Sequence, residues 1–237
     1  MKTKVYFLII ICFAFSGCKK DKDDKTVPTI TMTTVNNNVT IRLIGSGEFS
    51  IDWGDGSEIE THTLTELNGW SLYTHSYLGT SSRIITITGN FIKFLDCASN
   101  QLTSLDVSKN TKLEYLSCGS NQLKDLNVSG ATELVRMECG YNQLTSLDVS
   151  KNTALVELYC FHNQLSSLDV SKNTVLTILW CMDNLLINSS LDALFETLHG
   201  ITIAREKTII IGNNPGTDGC DRSIATSKGW TVTNFPM

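Results

Sequence analysis

The sequence predicts a mainly β protein in which a small β-sandwich is followed by a repeat solenoid with a parallel sheet, and short helices close the C-terminal end. Short β-branched segments separated by glycine-rich turns fill residues 28–90, a pattern typical of a sandwich. An apolar pattern then recurs every 21 residues between residues 91 and 188, which indicates stacked repeats. Residues 189–237 depart from that period, as expected for an irregular last repeat and a cap.

Residues 1–17 have the layout of a signal peptide. Lys2 and Lys4 precede an almost wholly apolar run over residues 5–16, which is too short to span a bilayer. Small residues stand directly before Cys18, and this arrangement resembles the lipobox of bacterial lipoproteins, in which the cysteine is lipidated. An ordinary secretory signal followed by a chance cysteine is the alternative.

Residues 18–27 then form a charged segment that we interpret as a tether after lipidated Cys18. It also resembles the export tag of some Gram-negative lipoproteins, which implies an outer-membrane, lipid-anchored protein facing the cell exterior. Loss of Lys2 and Lys4 with the signal changes the formal net charge from −5 to −7. No long basic run favours nucleic acid, so we expect no nucleic-acid partner. No apolar run beyond the signal is long enough to cross a membrane, so we expect membrane attachment through the lipid anchor only. We also expect a monomer.

The β-sandwich is expected over residues 28–90. Its strands are predicted over residues 29–34, 38–44, 48–53 and 84–88, with turns at residues 45–47 and 54–57. The run Ile-Asp-Trp-Gly-Asp-Gly at residues 51–56, followed by Thr-His-Ser-Tyr at residues 74–77, resembles the paired signature of the PKD (immunoglobulin-like) domains. The resemblance implies a spacer or protein-interaction module without chemistry of its own.

Three polar residues of that signature invite a second interpretation. Asp52, Asp55 and His75 could form a metal or sugar site. Alternatively, Asp55 only stabilises a tight turn through its side chain, which an Asp-Gly sequence explains unaided.

The repeats over residues 91–188 share the pattern Leu-x-x-Leu-x-Cys-x-x-Asn-x-Leu-x-x-Leu-x-Val. The shared cysteines are Cys97, Cys118, Cys139, Cys160 and Cys181, and the shared asparagines are Asn100, Asn121, Asn142, Asn163 and Asn184. The pattern resembles the leucine-rich repeats, in their bacterial internalin-type or BspA-like form. The resemblance implies one short strand per repeat and an extended or 3₁₀-like return, because 21 residues leave little room for a helix.

The cysteines and asparagines are predicted to form structural ladders. Cysteine packs as a small hydrophobe, and a dry environment raises its pKa. Stacked strands lie within disulfide distance, so an occasional bridge stays open, although five equivalent cysteines cannot all pair. A linear ladder does not converge on a metal and offers no exposed thiolate, so we expect no metal, no cofactor and no cysteine nucleophile. Asparagine amides turned inward can satisfy backbone groups that lack a partner.

The solvent-facing positions of the short strands form what we call the strand face, which is the concave side in the family that the repeats resemble. These positions change from repeat to repeat, whereas residues 102–111 and 144–153 of the outer segment are identical. Aromatic residues gather on the later strands, as in interface hot spots, although drift on an exposed sheet is the alternative. The predicted ligand-binding residues are Tyr115, Arg136, Glu138, Tyr141, Glu157, Tyr159, Phe161, His162, Trp180 and Met182.

The C-terminal segment is predicted to cap the array. A helix is expected over residues 190–199, started by a Ser189–Asp192 capping box and stopped by Gly200. Residues 208–215 look like one more repeat, with Asn214 in the asparagine position. A second helix is expected over residues 221–228, closed by Gly229, and a final strand over residues 230–232.

Two classes of function follow. The first is a non-catalytic surface binding protein, an adhesin or protein-interaction module that recognises a protein or glycan through the strand face. A structural spacer, or an accessory subunit of a surface glycan-binding complex, is its alternative. The second class is an enzyme, but the chain has no nucleophile elbow, zinc motif, phosphate loop or dinucleotide fingerprint. Only a carboxylate pair such as Glu138 and Glu157 could supply glycosidase chemistry.

Overall fold

A computed structural model describes residues 27–65, 69–202 and 205–235. The predicted signal peptide and Cys18 lie outside the described residues. The elements are β1 (Thr29–Thr34), β2 (Asn38–Gly45), β3 (Gly47–Asp52), β4 (Glu60–Leu64), β5 (Ser71–Ser76), β6 (Arg83–Gly89), β7 (Ile92–Asp96), β8 (Leu102–Asp106), β9 (Tyr115–Ser117), β10 (Arg136–Glu138), β11 (Glu157–Tyr159), β12 (Ile178–Trp180), α1 (Asn188–Thr197), β13 (Lys207–Ile210), α2 (Arg222–Ser227) and β14 (Trp230–Thr233). In the part of the chain that is described, every helix is too short or too polar to cross a membrane.

The N-terminal strands build a two-layer β unit. One sheet has the order β4-β3-β6-β1-β8, and strands β5, β2 and β7 belong to the other. Alternate residues of β1 and β2 are buried between the layers, as their β-branched alternation predicts. Trp53 is buried at the end of β3, and its indole N–H donates to Glu60 Oε1 at 2.7 Å.

Strands β4 and β5 were not predicted from the sequence. Both lie at the edge of a sheet, and neither shows the apolar alternation of a strand that is half buried. On β5, even the inward positions are only partly buried, so its sequence Ser-Leu-Tyr-Thr-His-Ser carries little hydrophobic signal. Edge position therefore explains why pattern reading missed them.

The β unit continues into the repeats through both of its sheets. Strand β7 pairs antiparallel with β2 and parallel with β9, while β8 pairs antiparallel with β1. The amide of Asn100 clamps β2 from the first repeat, because its Nδ2 donates to Thr40 O at 2.7 Å and its Oδ1 accepts from Thr40 N at 2.9 Å. The β unit therefore covers the first repeat.

The repeats stack in parallel register. Leu116, Met137, Leu158 and Leu179 are consecutive Cα partners on β9 to β12, and all are fully buried. Strands β13 and β14 extend the same sheet, which has nine strands among the described residues. The core is continuous from Ile30 to Trp230, so a chain beginning at residue 26 contains all of the described core.

The structure places the five repeat cysteines in the core as free thiols, with burial raising the pKa of each. The repeat asparagines bridge neighbouring repeats. Asn142 is typical, because its Oδ1 accepts from Leu123 N at 3.0 Å and its Nδ2 donates to Cys118 O at 3.0 Å and Cys139 O at 3.1 Å. Each side chain thus joins backbone groups of two repeats.

The C-terminal cap differs from the prediction at its first helix. Helix α1 begins at Asn188 after an N-cap Ile187 that makes no side-chain bond, so the predicted Ser189–Asp192 capping box was wrong. Asp192 Oδ1 instead accepts from Asp221 N at 2.7 Å, which ties α1 to the start of α2. The helix also ends before Gly200, with Leu198 extended at the C-cap.

The remaining cap elements follow the prediction closely. The Nδ2 of Asn214 donates to Cys181 O at 3.0 Å and to Ile211 O at 2.8 Å, as a repeat asparagine does. Helix α2 has Asp221 as its N-cap, which accepts from Ser223 N at 3.0 Å, and Gly229 follows it with a φ of 77°. Lys228 Nζ donates to Phe195 O at 3.0 Å and so satisfies a carbonyl at the end of α1.

Candidate functional site

The strand face aligns predicted ligand-binding residues across neighbouring strands. Tyr115, Arg136 and Glu157 are consecutive Cα partners, and two residues further along each strand Ser117, Glu138, Tyr159 and Trp180 form a second row. Strand alternation turns the residues between them, such as Met137 and Leu158, into the core. Parallel register therefore brings together residues that are 21 positions apart in the chain.

Arg136 is the centre of a charged network on this face. Its Nε donates to Glu138 Oε1 at 2.8 Å, and its Nη1 lies 3.0 Å from Glu157 Oε2. The hydroxyl of Tyr159 donates to the same Glu157 oxygen at 3.0 Å. The guanidinium carbon also lies 5.0 Å from the centroid of the Tyr159 ring and 5.7 Å from that of Tyr115, within cation–π range.

This network bears on the glycosidase alternative. Glu138 and Glu157 both bind the Arg136 guanidinium, so each carboxylate already has a cationic partner. A glycosidase needs one carboxyl to hold its proton as a general acid. Partial burial, followed by the bond to Glu157, raises the pKa of Tyr159 to about 12, so this phenol stays neutral and can donate.

A depression of about 420 Å³ lies beside the network. It is lined by Ala98, Ser117, Gly119, Ser120, Arg136, Glu138, Gly140, Tyr141, Tyr159, Phe161 and Trp180. The lining residues from the earlier repeats are small, and those from the later repeats are aromatic. Gly140 leaves space for the Phe161 ring there, because a Cβ at this position would lie 2.9 Å from the tip of that ring.

The aromatic rings of the depression stand at steep angles to one another. Tyr159 and Trp180 have centroids 4.9 Å apart and an interplanar angle of 77°. Tyr141 and Phe161 are 5.3 Å apart at 84°, and Phe161 and Trp180 are 6.2 Å apart at 53°. Edge-to-face contacts of this kind hold each ring in place and let ring faces meet at corners.

The residue two positions after each repeat cysteine adopts a left-handed backbone. Ser120, Tyr141, His162 and Asp183 have φ between 50° and 55° although none is glycine. Each N–H donates to the next repeat, as Tyr141 N does to Phe161 O at 3.1 Å. Tyr141 stacks on His162 at 4.3 Å, and His162 Nε2 lies 3.3 Å from Asp183 Oδ2.

Six of the predicted ligand-binding residues line the depression, namely Arg136, Glu138, Tyr141, Tyr159, Phe161 and Trp180. Tyr115 and Glu157 contact Arg136, and His162 stacks on Tyr141, whereas Met182 lies outside the lining. The small lining residues were not among the predicted ligand-binding residues, although the column Ala98, Gly119, Gly140 in front of Phe161 is a usable signal.

Trp70 was also missed. It lies just before β5, and its ring contacts Phe94 at 5.9 Å and Tyr115 at 5.8 Å. The aromatic surface of the strand face therefore extends back to the β unit. Sequence alone offers no sign of this contact, because Trp70 belongs to no repeat.

The polar residues of the β-unit signature meet at a turn. Asp55 Oδ1 accepts from Ser57 N at 3.0 Å, and Asp55 Oδ2 lies 2.8 Å from His75 Nε2. The bonds to Ser57 and then His75 hold the pKa of Asp55 well below its usual value. The His75 ring stacks on Trp53 at 4.9 Å. Across the described ranges, no cluster of three or more His, Cys, Asp or Glu side chains is placed to hold a metal ion.

The family model that matches this chain covers part of the repeats. A family model described as Leucine Rich repeats (2 copies) matches residues 92–130, so the chain contains leucine-rich repeats. A search of curated proteins returns no match.

Solved structures similar to the chain include two proteins of Listeria monocytogenes. The first is the functional domain of InlJ, whose description says that it includes a cysteine ladder; it is 31% identical with a TM-score of 0.42, over 58% of this chain and 33% of that one. The second is the internalin InlF, at 22% identity and a TM-score of 0.41, over 55% and 43% of the two chains. The APL1 leucine-rich repeat domain is 23% identical with a TM-score of 0.33, over 45% and 32%. The chain thus spans well under half of each.

Proposed function

We propose that this chain is a non-catalytic binding protein that recognises a protein partner through the strand face. The observation that carries the proposal is the 420 Å³ depression with four aromatic residues in its lining. Trp, Tyr and Arg dominate the binding energy of protein interfaces, and all three meet here. The drift alternative predicts mostly small polar residues on an exposed sheet, which the later repeats do not show.

The extent of the strand face suits a protein ligand. Six strands spaced at about 4.8 Å give a width of roughly 29 Å, which matches a standard interface. Trp70, Phe94 and Tyr115 extend the aromatic surface beyond the depression. A partner could therefore anchor in the depression and spread over the neighbouring strands.

The segments before the repeats are proposed to attach the repeats to the cell surface and display them there. We propose that residues 1–17 are a lipoprotein signal, that lipidated Cys18 anchors the mature chain at the outer membrane, and that residues 18–27 are the tether. Residues 28–90 are proposed to be a PKD-like sandwich that holds the repeats of residues 91–188 away from the membrane. The protein would then act as an adhesin or surface interaction module.

The test is a binding screen with soluble chain beginning at residue 26. It is screened against host extracellular proteins, bacterial surface proteins and a glycan panel. A Tyr159→Ala/Trp180→Ala variant should lose a protein ligand, because it removes two rings of the depression. Phe91→Ala is the matched control, since Phe91 is an exposed aromatic outside the depression.

Thermal melts establish that both variants are folded. A protein hit that the double variant loses and the control keeps supports the proposal. A hit that survives in the folded double variant places binding elsewhere and refutes the strand-face assignment. Hits limited to glycans would favour the accessory glycan-binding subunit, and a chain without any ligand would favour the spacer.

A further inference from the structure

We infer that the depression on the strand face is a receptor for an ammonium group, and that its ligand is a lysine side chain of the protein partner. This inference rests on the proposed function and adds the chemistry of the ligand. Three observations support it: the aromatic rings of the depression, the charges around them, and the fact that the polar groups of the network already bond to one another.

The rings of Tyr141, Phe161 and Trp180 form an aromatic corner of the depression. Phe161 contacts both Trp180, at 6.2 Å and 53°, and Tyr141, at 5.3 Å and 84°. Tyr159 meets Trp180 at 77°. All four rings line the same depression, and the negative faces of aromatic rings attract a cation placed over them.

Arg136 shows that this surface holds cations. Its guanidinium lies against the rings of Tyr115 and Tyr159 and is bound by Glu138 and Glu157. Arg136, Glu157 and Ile178 form one row across the strands. Within their repeats, Tyr141, Phe161 and Trp180 follow the residues of that row by two to five positions, so the corner lies further along the strand face. A second cation can therefore bind there without displacing Arg136.

The charges beside the corner favour a cationic ligand. Glu138 and Glu157 carry two negative charges against the one positive charge of Arg136. Asp183 adds a further carboxylate next to His162, and the whole chain has a formal net charge of −5. A lysine side chain fits this lining, because its apolar stem packs on the rings while its ammonium is attracted by the ring faces and by the excess negative charge of Glu138 and Glu157.

A lysine is favoured over a sugar or an arginine. A sugar needs polar groups that are available for its hydroxyls, but Arg136, Glu138, Glu157 and the Tyr159 hydroxyl bond to one another. An arginine prefers a carboxylate that offers both oxygens, whereas Oε1 of Glu138 already accepts both Nε and Nη2 of Arg136. The volume of about 420 Å³ lies at the low end of ligand sites, as suits one side chain.

The experiment uses small probes of defined charge on the chain from residue 26. They are Nα-acetyl-lysine N-methylamide, its neutral norleucine analogue, its Nε-acetylated form, the arginine analogue and a methyl glucoside. Binding is followed by NMR through the indole resonance of Trp180, which a Trp180→Phe variant assigns among the four tryptophans. We expect the lysine probe to shift this resonance saturably, and rising salt to weaken the effect because it screens charge.

Two variants connect the binding to the corner. Phe161→Leu keeps an apolar side chain but loses the ring, and should lower the affinity of the lysine probe about fivefold. Phe91→Ala should leave it unchanged, since Phe91 lies outside the depression. If Phe161→Leu fails to fold, the comparison of the lysine probe with its acetylated form decides, because that comparison needs only the natural sequence.

Equal binding of the norleucine or acetylated probe would overturn the inference, and so would binding of the glucoside alone, preference for arginine, or no shift with any probe. These outcomes leave the proposed function separately testable. A protein partner that is lost with Tyr159→Ala/Trp180→Ala, but still binds after acetylation of its lysines, would uphold strand-face recognition and refute the lysine anchor. Loss of that partner on acetylation supports both.

Discussion

Replacing Asn142 by alanine should destabilise the chain much more than the same change at Asn152. Both asparagines are buried, and both donate from Nδ2 to carbonyls of neighbouring segments. They differ in the acceptor atom, because Asn142 Oδ1 accepts from Leu123 N at 3.0 Å while Asn152 Oδ1 has no partner.

The magnitude follows from what each change leaves behind. The Asn142→Ala change leaves the buried N–H of Leu123 without an acceptor, which costs about 1–3 kcal/mol. The carbonyl of Cys118 keeps the bond from Asn121 Nδ2 at 2.9 Å, so no acceptor is orphaned there. With the lost bonds, each worth about 1 kcal/mol, we expect a total of about 3 kcal/mol.

The Asn152→Ala change leaves no N–H group without an acceptor, because Asn152 Oδ1 accepts no hydrogen bond. Its Nδ2 bonds to Val128 O and Ala131 O are lost, but each carbonyl also accepts a backbone N–H. The change also removes a buried oxygen without a partner, which offsets part of the loss. We expect a cost of about 1–2 kcal/mol.

Urea denaturation followed by far-UV circular dichroism measures the two free energies of unfolding. Coincident transitions by tryptophan fluorescence show that the chain unfolds as one unit, and the thermal midpoint of Asn142→Ala should fall by about 6–12 °C. Equal losses for the two variants, or a loss below about 1 kcal/mol for Asn142→Ala, would refute the reasoning that the inward asparagine is held by its acceptor atom.

Three further predictions concern the thiols, the left-handed positions and the cap. Burial raises the pKa of Cys160 to about 12, against about 8.5 in an unfolded chain, and raises that of the other four repeat thiols. Above about pH 8.5 only the unfolded chain releases these protons, so the free energy of unfolding should fall as pH rises, by up to about 7 kcal/mol for each pH unit when all five thiols contribute. Equal urea midpoints at pH 8 and 10 would contradict this. Ser120→Val should cost about 1–2 kcal/mol in urea, because Ser120 has a φ of 54°, whereas Ser120→Gly should be neutral or stabilising, and the reverse order would disprove strain. Lys228→Met should lower the free energy of unfolding by about 1–2 kcal/mol, since Lys228 Nζ satisfies carbonyls at the end of α1, and an unchanged melt would show that these bonds contribute nothing.

Much of the repeat architecture could be read from the sequence. The 21-residue period places Leu116 and Cys118 inward and Asn121 at the turn, and the structure has each of them there. The strands of the β unit with apolar alternation were also placed within a residue or two. Such patterns are readable because each reports whether a position faces the core, which is a local property of the chain.

Features that depend on distant partners were misread or missed. Ser189 and Asp192 have capping-box spacing, but Asp192 bonds to Asp221 once the cap has folded. Trp70 carries no pattern, yet it contacts Phe94 and Tyr115. Strands β4 and β5 lie at edges, where one neighbour is missing and hydrophobic alternation is weak.

The sequence by itself determined the repeat length, the inward cysteines and asparagines, and the set of variable residues on the strand face. Each repeat contacts mainly its neighbours, so one repeated pattern specifies its own stacking. Only the tertiary structure decided that Arg136 binds Glu138 and Glu157, that Gly140 makes room for Phe161, and that both sheets of the β unit run on into the first repeat. The physical reason is that the 21-residue period sets which residues are neighbours across strands, but ion pairing and ring packing depend on how the side chains of several neighbours arrange together, which composition and periodicity do not encode.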